Sequence, residues 1–175
     1  MAIIDGINII YLLRVKGDKG DAFKVAYQTE GSREESRSYE TTATKDGAIK
    51  TAGAYEGSHS LTCLLAEDDE YIQKLEDLVR VDSPKQLEVW RINRNAMAEA
   101  DTTELPGEYS LDRVTSISSS EPTEGSVEIS IESEIEVKPI RGKVKVSEKL
   151  KTLLAQISAE QAQFLQPIQE GSSQV

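Results

Sequence analysis

The chain has 175 residues, of which 38% are hydrophobic, 29% charged and 5% aromatic, and its formal net charge is −11. That length suits one domain with a sizeable core, or one domain with an appendage. The acidic balance argues against a protein that grips nucleic acid by its phosphates, because such a grip needs an excess of lysine and arginine. It leaves room for a protein that nucleic acid passes without sticking. Cys63 is the only cysteine, so no intrachain disulfide forms and maturation needs no oxidising compartment.

The apolar run Ile7 to Val15 is interrupted by Asn8 and Arg14 and lacks a basic leader. It is too short to span a bilayer and reads as a strand of a protein made in the cytoplasm. Lys16 to Asp21 (KGDKGD) is a turn, and Ala22 to Gln28 alternates as the returning strand of a hairpin. Thr29 to Gly57 is polar, nearly balanced in charge and poor in large apolar residues. It reads as a long loop, with Thr41, Thr42 and Thr44 able to form strand edges. A structureless segment of this length in a compact domain tends to be functional: a mobile surface loop, or an arm that orders against another subunit.

Ser58 to Ala66 reads as a buried strand. Glu67 to Arg80 is the clearest helix, with acidic residues in its first turn, Arg80 at its end and an apolar stripe of Ile72, Leu75, Leu78 and Val79. After Ser83-Pro84, Lys85 to Arg94 is a strand with Leu87 and Val89 on one face and Glu88, Trp90 and Ile92 on the other. Trp90 suits a core or an interface. Asn95 to Gly107 reads as loop, Glu108 to Ser118 as a strand whose blurred alternation suggests a bulge, and Ser119 to Gly125 as a turn.

Ser126 to Val137 (SVEISIESEIEV) is the longest strand. Val127, Ile129, Ile131, Ile135 and Val137 take one face; Ser126, Glu128, Ser130, Glu132, Glu134 and Glu136 take the other. Lys138 to Gly142 (KPIRG) reads as a turn and Lys143 to Ser147 as a returning strand with Val144 and Val146 on one face. Its lysines could then neutralise the glutamates across the pair. From Ser147 to Gln166, Leu150, Leu153, Leu154, Ile157, Phe164 and Leu165 fall at helical spacing, and Pro167 ends the run. Strands with one helix set aside predict a mainly β fold: an antiparallel β-sandwich or partial barrel with one flanking helix, a long polar loop and a C-terminal helical or extended segment.

No residue is assigned to catalysis, a cofactor or a metal. His59 and Cys63 share a strand face but stand about 13 Å apart, too far for a nucleophile pair. Zinc needs three or four ligands that this chain cannot muster from His and Cys. Glu67 to Glu70 is accounted for by helix capping. Same-face carboxylates on the long strand lie about 6.5–7 Å apart, as in inverting glycosidases, but one tryptophan is a poor sugar platform. The acidic face is therefore solvated for solubility, receives a basic partner, or lines a passage for another polyanion.

The segments MAIIDGINIIYLLRVKGD, QTEGS (Gln28 to Ser32), TTATKDG (Thr41 to Gly47), EGSHSLTCLL (Glu56 to Leu65), LEVWRIN and GEYSLDRVTSISSSEPTEGSVEISIE occur in that order. In them the chain resembles the major tail protein family of long, non-contractile bacteriophage tails from phages of Gram-positive bacteria. The resemblance implies a tail-tube β-sandwich domain over 1–146, with 29–57 as an inter-ring loop and 67–80 as its flanking helix, followed by an extension over 147–175. It implies homo-hexameric rings whose strands form an inner β-barrel and which stack into a tube. The other partners it implies are the tape-measure protein and the tail terminator and distal tail proteins. DNA would pass without specific binding, with no cofactor, no membrane and no catalysis, in a virion tail assembled in the host cytoplasm. The loop residues expected to touch the next ring are Arg33, Arg37, Tyr39, Lys45, Asp46 and Lys50. The residues expected to face the lumen are Glu128, Glu132, Glu134 and Glu136, where negative charge would keep DNA off the wall. A tube subunit of a phage-derived bacteriocin or secretion device, or a monomeric ligand-binding β-sandwich, are the alternative readings.

Overall fold

The alternation that predicts strands also decides which side of each strand is covered. In the computed structural model, which describes residues 3–25, 27–67, 69–95 and 104–147, seven strands form one antiparallel sheet. They are β1 (Ile9–Val15), β2 (Phe23–Lys24), β3 (Gln28–Thr44), β4 (Gly47–Leu64), β5 (Leu87–Asn93), β6 (Glu104–Ser120) and β7 (Glu128–Lys145), joined in the order β2-β1-β5-β6-β7-β4-β3. One 3-10 turn (Gly6–Asn8) leads into β1, and one helix, α1 (Glu70–Arg80), follows β4.

The main core lies on one face of this sheet. It gathers Tyr11, Leu13 and Val15 from β1, Leu87 and Val89 from β5, Val114 from β6, Ile129 and Ile131 from β7, and Leu61 and Cys63 from β4. Helix α1 covers them with Ile72, Leu75 and Leu78, three of the four predicted stripe residues; Val79 stays exposed. The helix starts later than the acidic run suggests, because Asp69 acts as its cap: the Asp69 carboxylate accepts from the Tyr71 N–H at 3.0 Å. A smaller cluster on the opposite face holds Ile10, Leu12, Ile92, Leu105 and Val146, with Trp90 packed against it. Trp90 thus sits opposite Leu87 and Val89, as its parity predicts, and lies on the far side of the sheet from the helix.

The sheet curls until its two edges meet, but they do not pair. β2 covers β1 only at Leu12 and Leu13. Beyond that, the Gln28 side chain at the start of β3 takes the place of a strand. Tyr11 N–H donates to Gln28 Oε1 at 3.2 Å, and Gln28 Nε2 donates to the Tyr11 carbonyl at 2.8 Å. Gly31 permits this closeness, since a Cβ there would stand 2.6 Å from the Tyr11 ring.

At the mid-height of the core, Asp112 is wholly buried and saturated. Ser110 Oγ and Ser133 Oγ each donate to it at 2.7 Å, and His59 Nδ1 lies 2.7 Å from its other contact point on Oδ2. The Tyr11 ring meets His59 edge-on at 5.5 Å. Three strands, β4, β6 and β7, are therefore tied by one carboxylate, and Tyr11 of β1 packs on its histidine, which explains why a polar His–Asp–Ser–Ser set survives inside. His59 is a buried, hydrogen-bonded member of the core.

Three expectations change. Ala22 to Gln28 is not a full returning strand, since β2 keeps only two residues before the chain turns through Tyr27 at φ 49°. Residues 29–57 are not a loop: they belong to β3 and β4, paired from Gln28↔Cys63 to Thr44↔Gly47. Backbone pairing needs no apolar side chains, so the usual alternation is missing where both faces are wet. Lys138 to Gly142 is not a turn: β7 runs on through Pro139 and Gly142 to Lys145 beside β6, with Lys145 opposite Glu104. β4 leaves β7 after Ser58↔Glu134, so Pro139 sits where β7 has become an edge, and a register shift opposite Ser110 absorbs it. β6 is irregular where a bulge is expected, with register shifts at Tyr109/Leu111, Leu111/Asp112 and Val114/Ser116, and it begins at Glu104, inside the expected loop. The C-terminal segment expected to be helical lies, from 148 on, outside the described residues.

Two outcomes follow for stability. Asp112→Ala strands three buried partners and is expected to cost about 3–5 kcal/mol in denaturant unfolding, against about 1–2 kcal/mol for Gln28→Ala at the half-buried seam. Burial pushes the Cys63 thiol up to about 11. At pH 8 it stays protonated and shielded, so a thiol reagent should modify it only at the rate of unfolding.

Candidate tube-lining face and projecting arm

Cross-strand register assembles the acidic surface. On β7, Glu128, Glu132, Glu134 and Glu136 are all exposed on one face while Ile129, Ile131, Ser133 and Ile135 are buried on the other. Their neighbours on β4 are Leu64, Ser60 and Ser58, facing Glu128, Glu132 and Glu134, with Thr62 facing Ser130. The next row, on β3, is Glu30 opposite Thr62, Ser32 opposite Ser60 and Glu34 opposite Ser58. Three adjacent strands thus present only Ser, Thr and Glu over this patch: Glu30, Ser32, Glu34; Thr62, Ser60, Ser58; Ser130, Glu132, Glu134. β6 adds Ser118, Ser116 and Arg113 beyond them.

Charge on this patch is largely uncompensated. Arg113 Nε pairs with Glu136 at 2.7 Å, and Gln86 also donates to that carboxylate, which these bonds hold below the usual carboxylate range. Glu132 accepts from Ser116 Oγ at 3.1 Å. Among the described residues no lysine or arginine pairs with Glu30, Glu34, Glu128, Glu132 or Glu134. The neutralising lysines expected from a returning strand are absent from this patch, because Lys143 and Lys145 lie farther along the same strand. Lys143 approaches Glu104 of β6 instead, at 4.0 Å. Glu30 and Glu34 were hidden in the supposed loop; the every-second-residue pattern Glu30, Ser32, Glu34 was their only trace in the sequence.

Beyond Ser58↔Glu134, β3 and β4 leave the sheet as a two-stranded arm, Ser36–Thr44 paired with Gly47–Glu56. Nine residues carry it about 30 Å from the body. Its turn is Lys45-Asp46, closed by Gly47 at φ 134° and by Thr44 Oγ1 donating to the Gly47 carbonyl at 2.6 Å. A fork of about 520 Å³ opens where the arm parts from β7, lined by Glu34, Glu56 and Glu134 among others.

The six predicted arm contacts divide. Arg37, Tyr39, Lys45, Asp46 and Lys50 all stand exposed on the projecting part, Tyr39 at 64% exposure, with Ile49 at 58% beside them. Arg33 does not project. It sits at the root of the arm, turned to the core side, where it pairs with Glu108 and, at 3.3 Å, with Glu35. Glu108 is also held by Arg141 at 3.0 Å and faces Arg91 at 3.9 Å, so it locks β3, β5 and β7 to β6. Tyr55 Oη donates to Glu35 at 2.7 Å, and burial with that bond pushes the phenol up to about 12.

Among the described residues, no group of three or more His, Cys, Asp or Glu is placed to share a cation, and no helix is long and apolar enough to cross a membrane.

A phage tail tube protein family model matches residues 3–141. No curated protein is significantly similar in sequence. Among solved structures, the SPP1 tail tube, determined by solid-state NMR and cryo-EM, superimposes with a TM-score of 0.70 at 22% identity, over 89% of this chain and 86% of that one. The tail of a gene transfer agent particle, refined with C6 symmetry, gives a TM-score of 0.58 at 12% identity over 80% of this chain and 99% of that one. The sheath-tube complex of an extracellular contractile injection system gives 0.56 at 14% identity, over 81% and 93%. With its acidic sheet face, its projecting arm and a family match over most of its length, the chain belongs to the phage tail tube protein family.

Proposed function

We propose that this tube subunit forms hexameric rings whose Ser/Thr/Glu face lines the lumen, and that the arm docks on the adjacent ring. The tube then holds a tape-measure protein and later passes double-stranded DNA in the tail of a long, non-contractile phage, assembled in the host cytoplasm. The chain carries no catalytic role. The observation that carries this reading is the unneutralised glutamate patch, which register extends over β3 and β7 with hydroxyl side chains between. Duplex DNA carries about one negative charge per 1.7 Å of axis, and a basic wall would hold it at many points. Screening confines repulsion to about 8–10 Å, so an acidic wall acts only in a close-fitting bore. The C6 symmetry of the gene transfer agent tail supports six copies per ring.

The arm supports stacking by a separate argument. A two-stranded ribbon exposed on both faces is marginal in water and needs a surface to lie on. Its exposed Tyr39 and Ile49 are the side chains that gain from being covered.

Negative-stain microscopy of the concentrated protein should show hollow rods or rings; a monodisperse monomer at every concentration would sink the tube. Amide exchange over 36–56 is expected to slow by at least ~10-fold on assembly while the Asp112 region changes little. Equal rates in both states would remove the arm from the contact. Replacing Glu30, Glu34, Glu132 and Glu134 together by lysine should leave rods intact yet lower infectivity by about 10-fold or more, through DNA retained on the wall. Undiminished ejection from such particles would place this face outside the bore.

A further inference from the structure

The second cluster leaves a groove open on its outer side. It holds about 390 Å³ between β1, β5 and the far half of the β6–β7 ribbon. Cross-strand register lays its floor in rows. Leu12 of β1 faces Trp90 of β5, Trp90 faces Tyr109 of β6, and Tyr109 faces Ile140 of β7. Ile10, Ile92, Gly107 and Gly142 make the next row, and the two glycines leave the ribbon bare there. A Cβ at Gly142 would meet nothing within 4 Å, so the floor dips at that point. Leu105 and Val144 form the row after it. Ile140 is 63% exposed. Arg141 and Lys143 alternate to the opposite face, where they reach Glu108 and Glu104, so the groove side of the ribbon is apolar.

The chain itself turns into this groove. β7 ends at Lys145, opposite Glu104, and Val146 is then buried in the second cluster with Ile10, Leu12 and Leu105. Ser147 lines the groove and is the last of the described residues, so the next part of the chain starts at the groove's edge. The sequence that follows, Glu148 to Ile157 (EKLKTLLAQI), sets Leu150, Leu153, Leu154 and Ile157 at i, i+3, i+4 and i+7. That is one stripe of a helix, with Glu148, Lys149, Lys151, Thr152 and Gln156 off it. The stripe is about 10 Å long in a helix, and Val144 to Ile140 along a strand is about 13 Å. An uncovered apolar floor calls for a cover, and the nearest apolar stripe in the chain begins beside it.

We infer that residues 150–157 form a helix that packs back into the groove of their own chain, with the leucines and Ile157 on Trp90, Tyr109, Ile140 and Val144 and over the dip at Gly142. Only Glu148 and Lys149 separate Ser147 from the stripe. So short a tether gives the chain's own segment an effective concentration that a neighbouring copy's segment does not reach. The contact belongs to the single copy, so it goes beyond the ring assembly proposed above and stands or falls apart from it.

Trp90 is the only tryptophan, so its fluorescence reads the groove in the full chain. Leu153→Ser, Leu154→Ser and Ile157→Ser together should weaken docking by about 100-fold or more, seen as a red-shifted emission and easier quenching by acrylamide. Emission and quenching identical to those of the unaltered chain overturn the inference. A second measurement leaves the segment intact. The full chain with p-benzoylphenylalanine at position 140, irradiated in dilute solution, should give a monomer-sized product with the crosslink mapped to 150–157. If the serine variant does not fold, this crosslink alone decides. A product joined between copies, or one mapped to another segment, gives the groove to that partner and overturns the inference, as does irradiation that yields no crosslink. None of these results bears on rods or rings, so the tube reading is tested separately by microscopy.

Discussion

The structure depends on one sheet curling around a buried carboxylate while failing to close. Asp112 draws His59 of β4, Ser133 of β7 and Ser110 of β6 to one point, and Tyr11 of β1 packs on the same histidine. That pull brings β3 within reach of β1, where the Gln28 side chain bridges them. A closed barrel would have no edge to offer. This sheet keeps a long free edge along β3, a liability in a monomer and a resource in an assembly.

The unclosed sheet also explains the split between its two faces. One face is dry over most of its width, because α1 and the curl cover it. The other is dry only where β1, β5 and the β6–β7 ribbon pack their second cluster. Where β3, β4 and β7 run side by side, nothing apolar is available to cover, and Ser, Thr and Glu take the positions. The acidic patch and the second apolar cluster are two ends of a single sheet surface.

Glu108 connects the root of the arm to the body. Arg33 at the arm's root and Arg141 on the ribbon both bind it, so the direction in which the arm departs is fixed by the body and not by the arm's own weak pairing. A load on the arm is carried into β6, the strand at the centre of the sheet order.

The sequence by itself determined the mainly β class, the helix with its buried stripe, the parity of Trp90 and the exposed glutamate row of β7. Each of these rests on a periodic choice between water and a core, and that choice is written locally. The tertiary structure alone decided that residues 29–57 are strands, that Lys138 to Gly142 continues β7, and that Glu30 and Glu34 join the acidic face. In those segments the backbone bonds are made within the β3–β4 hairpin and along the β6–β7 ribbon while the side chains stay largely wet on both faces, so no hydrophobic pattern records the pairing. Pro139 and Gly142 carry ordinary turn signals, and only the absence of β4 beside that part of β7 lets a strand run through them.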